Sequence, residues 1–219
     1  MVFRTLSAAL LAIVVLGGFD SRAEAATISH TDSIPLAEPD WSGSISVPKF
    51  DSSLGTLNSV TCKLTGHAEG SAKFESLDTE PATVTMQLSA IVQLRRPDSS
   101  TLVISIPVTD TSDVVDSFDG ILDFGGTSGK TYSNLSADLT ENATHSLAAD
   151  LALFTGTGSI TLPVTADGAS TGMGAGNLVL QFAMAASADV EIIYDYSVPE
   201  PGTLGLMSLG TLGMIRRRR

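Results

Sequence analysis

Apolar and polar residues alternate with a period of two along much of this chain. Val60, Cys62 and Leu64 are interleaved with Thr61, Lys63 and Thr65, and Val84, Met86, Leu88, Ala90, Val92 and Leu94 with Thr83, Thr85, Gln87, Ser89 and Gln93. Successive side chains of a strand point to opposite faces, so this pattern predicts half-buried strands. The second run is long for one strand and predicts a bend or bulge partway. Further strands are expected over 41–47, 71–75, 102–108, 131–139, 145–154, 159–164, 178–185 and 189–196, the last with Val190, Ile192, Tyr194 and Tyr196 on one face. Over 135–154 a short helix competes with strand, because the stretch is rich in Ala and Leu, and Leu147, Leu151 and Phe154 fall at helical spacing. Turns are supplied by Pro97-Asp98-Ser99-Ser100, Gly125-Gly126, Gly168 and the glycines at 172, 174 and 176. About ten strands so punctuated, rich in Thr, Ser and Val, predict an all-β fold, an antiparallel β-sandwich. No internal repeat points to a solenoid or propeller.

Both ends break the alternation. Residues 1–25 carry Arg4, an apolar stretch over 6–19 and the small-x-small triplet Ala23-Glu24-Ala25, the layout of a signal peptide cleaved after Ala25. At the other end, over 198–219, Val198-Pro199-Glu200-Pro201 precedes a 13-residue, glycine-broken apolar run over 203–215 and then Arg216, Arg217, Arg218 and Arg219. As a helix that run would be about 20 Å long against a hydrocarbon core of roughly 30 Å, a poor permanent anchor. Its flanking charges give an orientation, with the arginines cytoplasmic and the preceding body on the outer side of the inner membrane. Pro199 and Pro201 hold the backbone around Glu200 extended, the form a processing enzyme grips. The expected organisation is a signal peptide over 1–25, one β domain over 26–197 and a short membrane-inserting sorting tail over 198–219.

Charge sharpens the picture of the body. The chain has a formal net charge of −12, but residues 26–197 hold six basic and 21 acidic residues, a net −15. Such a body is repelled by phosphate backbones and has no basic stripe, which argues against nucleic acid as a partner. Cys62 is the only cysteine, so no internal disulfide forms, and its place on the apolar side of an alternation predicts a buried, inert thiol. A core from about 170 residues is large enough to stabilise the fold without one.

Candidate chemistry is sparse. His30, His67 and His145 are isolated from one another and read as surface residues, and no cofactor is expected. The densest polar cluster carries Asp110, Asp113, Asp116, Asp119 and Asp123, without the spacing of an EF-type calcium loop, and reads as a solvated, turn-forming loop. Asp-Phe-Gly at 123–125 stands without other kinase motifs, and the 21 acids of the body single out no catalytic pair. Two glycosylation sequons begin at Asn134 and Asn142, in a chain whose ends look bacterial. A non-enzyme is the expectation.

The tail resembles the PEP-CTERM sorting signal of Gram-negative bacteria, in its Val198-Pro199-Glu200-Pro201, short apolar stretch and terminal arginines. That resemblance implies Sec-type export, transient residence in the inner membrane and processing by an exosortase, a membrane enzyme of cells that make extracellular polysaccharide. The body, through Trp41, Phe50-Asp51, Ser53-Leu54-Gly55-Thr56-Leu57 and the closing Val190 to Ser197, resembles the choice-of-anchor E domain, which implies no activity. Within it, Phe50, Leu54 and Leu57 are expected as core anchors around a turn capped by Asp51. Together these features predict a surface or extracellular-matrix protein with a structural or adhesive role in a polysaccharide-rich biofilm or floc. The alternative is a carbohydrate- or calcium-binding module on the same scaffold, and a hydrolase with an unrecognised carboxylate pair is a third reading.

Overall fold

A computed structural model of the protein describes residues 24–198. Within them the chain forms β1 (Glu24–Ala37), β2 (Trp41–Pro48), β3 (Thr56–Ser76), β4 (Ala82–Arg95), β5 (Thr101–Ser105), β6 (Val108–Val115), β7 (Gly129–His145), α1 (Ala148–Phe154), β8 (Ser159–Gly168), β9 (Thr171–Met173) and β10 (Leu178–Val198). One sheet has the order β1-β10-β3-β7 and the other β2-β8-β4-β5, with β6 and β9 flanking the first half of β4. The expected antiparallel sandwich of about ten strands is thus what the chain folds into.

The alternating residues do what their spacing predicts. Val60, Cys62 and Leu64 from β3 and Val92 and Leu94 from β4 are buried in the larger of two cores, which also takes Ile45, Leu162, Ile192 and Tyr194. Ala72, Phe74, Val84, Met86 and Val115 form a second core toward the opposite end, with Tyr132 and Phe182 packed against it. Burying a large aliphatic or aromatic side chain contributes on the order of 2 kcal/mol, so these faces supply the main stabilisation.

Several expected boundaries are corrected. Each of the two pairs of short strands, around 60–64 with 71–75 and 178–185 with 189–196, is one 21-residue strand, and β3 and β10 pair from Leu178 opposite Ser76 to Ser197 opposite Thr56. The Gly- and Ala-rich middle of β3 is a place of close approach rather than a break. A side chain at Gly66 would come within 2.9 Å of Ser105 Oγ and 3.0 Å of Val92 Cγ2, and one at Gly70 would run into the Ala183 carbonyl. In β7 the register slips where Gly70 and Ala72 face Leu135 and Tyr132, so one extra residue is accommodated there by a bulge with Asn134 at φ +59°. β7 runs on to His145, and the strand expected over 145–154 is instead the helix α1 after a short turn.

The aspartate-rich stretch is also only partly a loop, since its first residues form the edge strand β6, where Gln87 donates to Asp110 (3.0 Å) and Thr85 pairs with Ser112 (3.1 Å).

Candidate functional site

Two of the residues that sequence singles out for function, Ala25 and Val198, lie among the described residues, at the end of the sandwich where β10 finishes. Val198 is the last residue of β10, whose final rung with β3 is Ser197 opposite Thr56. A register shift between Asp195 and Tyr196 precedes it, and the strand end is then gripped by the loop between β2 and β3. Asn58 Nδ2 donates to Asp195 Oδ1 (3.1 Å) and to Ser197 Oγ (2.8 Å). Gly55, at φ +150°, lies so close to the Ser197 carbonyl that any side chain would collide with it. Phe50 is buried and meets Tyr194 and Tyr196 at ring-centroid distances of 6.0 and 5.1 Å. The Tyr194 hydroxyl donates to the Pro48 carbonyl (2.7 Å), and burial raises its pKa.

Asp51 caps this loop as expected, its Oδ1 accepting the Ser53 N–H at 2.8 Å, which lowers the pKa of the carboxyl. Phe50 and Leu57 are core anchors, but Leu54 is not. It is 42 % exposed, because the turn closed by Leu54 N–H donating to the Asp51 carbonyl points its side chain outward.

The start of the described region lies at the same end. The His30 ring packs 5.8 Å from that of Tyr194, whereas Trp41 Nε1 donates to the Ala186 carbonyl (3.0 Å). Partners on β10 thus recede as the chain advances from β1 into β2. The first residues of β1, with Ala25 among them, therefore belong beside the last residues of β10. Ala23, Pro199, Glu200, Pro201, Arg216, Arg217, Arg218 and Arg219 lie outside the described residues, as does nearly all of the expected signal peptide. No helix among the described residues is long and apolar enough to cross a membrane.

Elsewhere many polar groups satisfy one another, although Arg95 Nε, Thr111 Oγ1, His145 Nε2 and Thr165 Oγ1 are buried without a partner among the described residues. Asp119 and Asp123 cap their own turns through the N–H groups of Ile121 (3.0 Å) and Gly125 (2.8 Å), and Asp113 accepts from Lys130 (2.6 Å) and from the Tyr132 hydroxyl. Glu75 is fully buried and accepts from Ser128 Oγ (2.6 Å) and Phe124 N–H (2.7 Å), with glycine required at 129 because a side chain there would strike this carboxylate. Sequence gave no hint of Glu75, whose neighbours in the chain read as an ordinary alternation.

Cys62 is buried, which pushes its thiol up to about 12. His145 is not a surface residue. Its side chain is 14 % exposed and sits beside the pair formed by Arg96 Nε and Asp150 Oδ1 (2.8 Å). His67 lies on the outer face of the sheet with Nδ1 2.7 Å from Asp138 and Nε2 3.2 Å from Glu69. Among the described residues no three His, Cys, Asp or Glu side chains are grouped to hold a metal ion.

Charge is unevenly divided between the two ends. The end away from Val198 carries Asp113, Asp116, Asp119 and Asp123, with Glu75, Asp78 and Glu80 at adjoining strand ends, against Lys73 and Lys130. The exit end carries Asp51, Asp98, Asp150 and Asp195 against Lys49, Arg95 and Arg96.

No curated protein matches the chain in sequence. Among solved structures it is similar to the VP2 subviral particle of infectious bursal disease virus, at 12 % identity over 96 % of this chain and 54 % of that one, with a TM-score of 0.21. It is also similar to the Gx strain of the same virus, at 12 % identity over 90 % and 49 %, with a TM-score of 0.22. The chain spans about half the length of these structures, and likenesses so slight bear on neither fold nor function. At the exit end the match is one of sequence: residues 197–219 carry a PEP-CTERM protein-sorting motif.

Proposed function

We propose that this is an exported bacterial surface or extracellular-matrix protein, carried out by Sec-type machinery, held briefly in the inner membrane and processed by an exosortase at its C-terminal signal. The observation that carries the reading is the sorting motif at 197–219, whose first two residues, Ser197 and Val198, are the last two of β10. The body is a non-enzymatic domain of the choice-of-anchor E kind, with a structural or adhesive role in a polysaccharide-rich biofilm or floc. Its polar sheet face and acidic, disulfide-free sandwich suit a hydrated matrix.

C-terminal peptide mass spectrometry of the protein recovered from culture tests the processing. The mature extracellular pool should lack the peptide ending in Arg219, and its unmodified recovery there would overturn the reading. Deletion of the gene should alter aggregation or matrix composition.

The second reading, a carbohydrate- or calcium-binding module, draws on one feature. A shallow polar groove of about 480 Å³ crosses the outer face of β1, β10 and β3, lined by Asp32, Lys63, Thr65, Asp189 and Glu191 among others. Silence on a glycan array together with a melting temperature unmoved by calcium would retire it.

A further inference from the structure

We infer that the exit end of the sandwich is a membrane-apposed surface, resting on the phospholipid bilayer while the tail is inserted; this rests on the sorting-tail reading. The first ground is tether length. Val198 is fixed in the sheet and the apolar run begins at residue 203, leaving only residues 199–202 between them. The five Cα–Cα steps from Val198 to residue 203 reach at most about 18 Å in any conformation. Whenever the run enters lipid, the end of β10 is therefore held within that distance of the bilayer. The first residues of β1 lie at this same end, so a leader still in the membrane would hold the same surface toward it.

The second ground is electrostatic. A body of net charge −15 is repelled as a whole by anionic lipid, but charges interact across only about 8 Å at physiological ionic strength. The ribbon of β3 and β10 is 21 residues long, roughly 70 Å at about 3.3 Å per residue, so the acidic far end lies well outside that range. What the bilayer meets is the exit end, where three bases nearly cancel four acids.

The third ground is the apolar surface that this end shows. Leu54, in the loop that grips Ser197, and Leu147, at the start of α1, are 42 % and 73 % exposed. Isolated exposed leucines are ordinary, but the tether brings these two to the lipid interface, where they gain by partial burial.

The test uses the leader-free chain beginning at Ala26, with an environment-sensitive fluorophore on Leu54→Cys, Leu147→Cys or, as the distant control, Ile121→Cys, which is also exposed. Cys62 is buried with its thiol pushed up to about 12, so only the introduced cysteine is labelled. Vesicles are phosphatidylethanolamine with a quarter phosphatidylglycerol, carrying a headgroup quencher. The protein should float with the vesicles, and the labels at 54 and 147 should lose about half their emission or more while the label at 121 is left nearly unchanged, its depth being set by the tether. Equal quenching at all three positions in protein that floats would overturn the apposition alone. Failure to float would overturn it together with the insertion of the tail.

Discussion

At Gly55 the backbone conformation and the neighbouring Ser197 carbonyl both exclude a side chain, so Gly55→Ala should cost about 3 kcal/mol of stability from backbone strain and overpacking combined. Urea denaturation measures it, and a loss below a few tenths would show that the loop simply moves aside. Glu75 stabilises through its two accepted hydrogen bonds, so Glu75→Ala leaves the Phe124 N–H and the Ser128 O–H without an acceptor in a buried site, at about 1–3 kcal/mol for each orphaned donor. Glu75→Gln, which keeps one acceptor oxygen, should cost less, and equal losses would mean that the hydrogen bonds are not what Glu75 contributes.

The pKa values of His67 and His145 shift in opposite directions. At His67 burial lowers the pKa, but the hydrogen bonds and charges of Asp138 and Glu69 outweigh it, so the net shift is upward from 6.5; His145 is lowered from 6.5 by burial, with Arg96 adding to that and Asp150 opposing. Stability from His67 is therefore complete below pH 6.5 and is lost as pH rises through its raised folded value, whereas stability from His145 is complete above pH 6.5 and is lost as pH falls through its lowered one. The melting temperature of His67→Gln should decline less than that of the parent above pH 6.5. His145→Gln should decline less below it, and superimposable curves for parent and variants would refute the assignment.

Elements differ in how clearly the sequence declares them, and the reason is which neighbour decides their structure. β4 was readable because the same face of the strand is buried along its whole length, from Val84 in the smaller core to Leu94 in the larger. β6 was not, because an edge strand owes its shape to pairing with β4 and carries aspartates that strand propensity disfavours. The middle of β3 was hidden by glycines whose purpose, close approach to Ser105 across the sandwich and to Ala183 on the neighbouring β10, is visible only once the sheets are assembled. At the exit end, Asp51 and Phe50 could be read from local turn chemistry, whereas the convergence of Ala25 with Val198 depends on β1 lying beside β10. α1 is seven residues long, too short to stand on propensity, and is held by buried Phe154 and by the pairing of Asp150 with Arg96 across the core edge. Arg96→Met should therefore destabilise by about 3–5 kcal/mol through the stranded carboxylate, while adding Asp150→Leu should recover most of the loss. A double variant as unstable as the single one would mean that α1 depends on the ion pair for its geometry.

At the scale of the whole molecule the two cores do not share side chains, yet β3 and β4 run through both, so neither can melt alone without breaking strands that hold the other. Trp41, the only tryptophan, packs against the larger core, whereas Phe74 is buried in the smaller one. Phe74→Ala should cost about 3–5 kcal/mol, the usual loss for emptying a buried aromatic site. If the sandwich unfolds as one cooperative unit, the urea midpoint read from Trp41 fluorescence should fall together with that read from far-ultraviolet circular dichroism, even though the cavity lies in the other core. A far-ultraviolet transition that moves to lower urea while the Trp41 transition stays in place would show that the far end can melt separately. The stability of the far end would then be uncoupled from the grip that Gly55, Asn58 and Phe50 hold on the end of β10. Coincident transitions would mean instead that damage anywhere along the ribbon of β3 and β10 loosens that grip, and with it the place where the sorting motif begins.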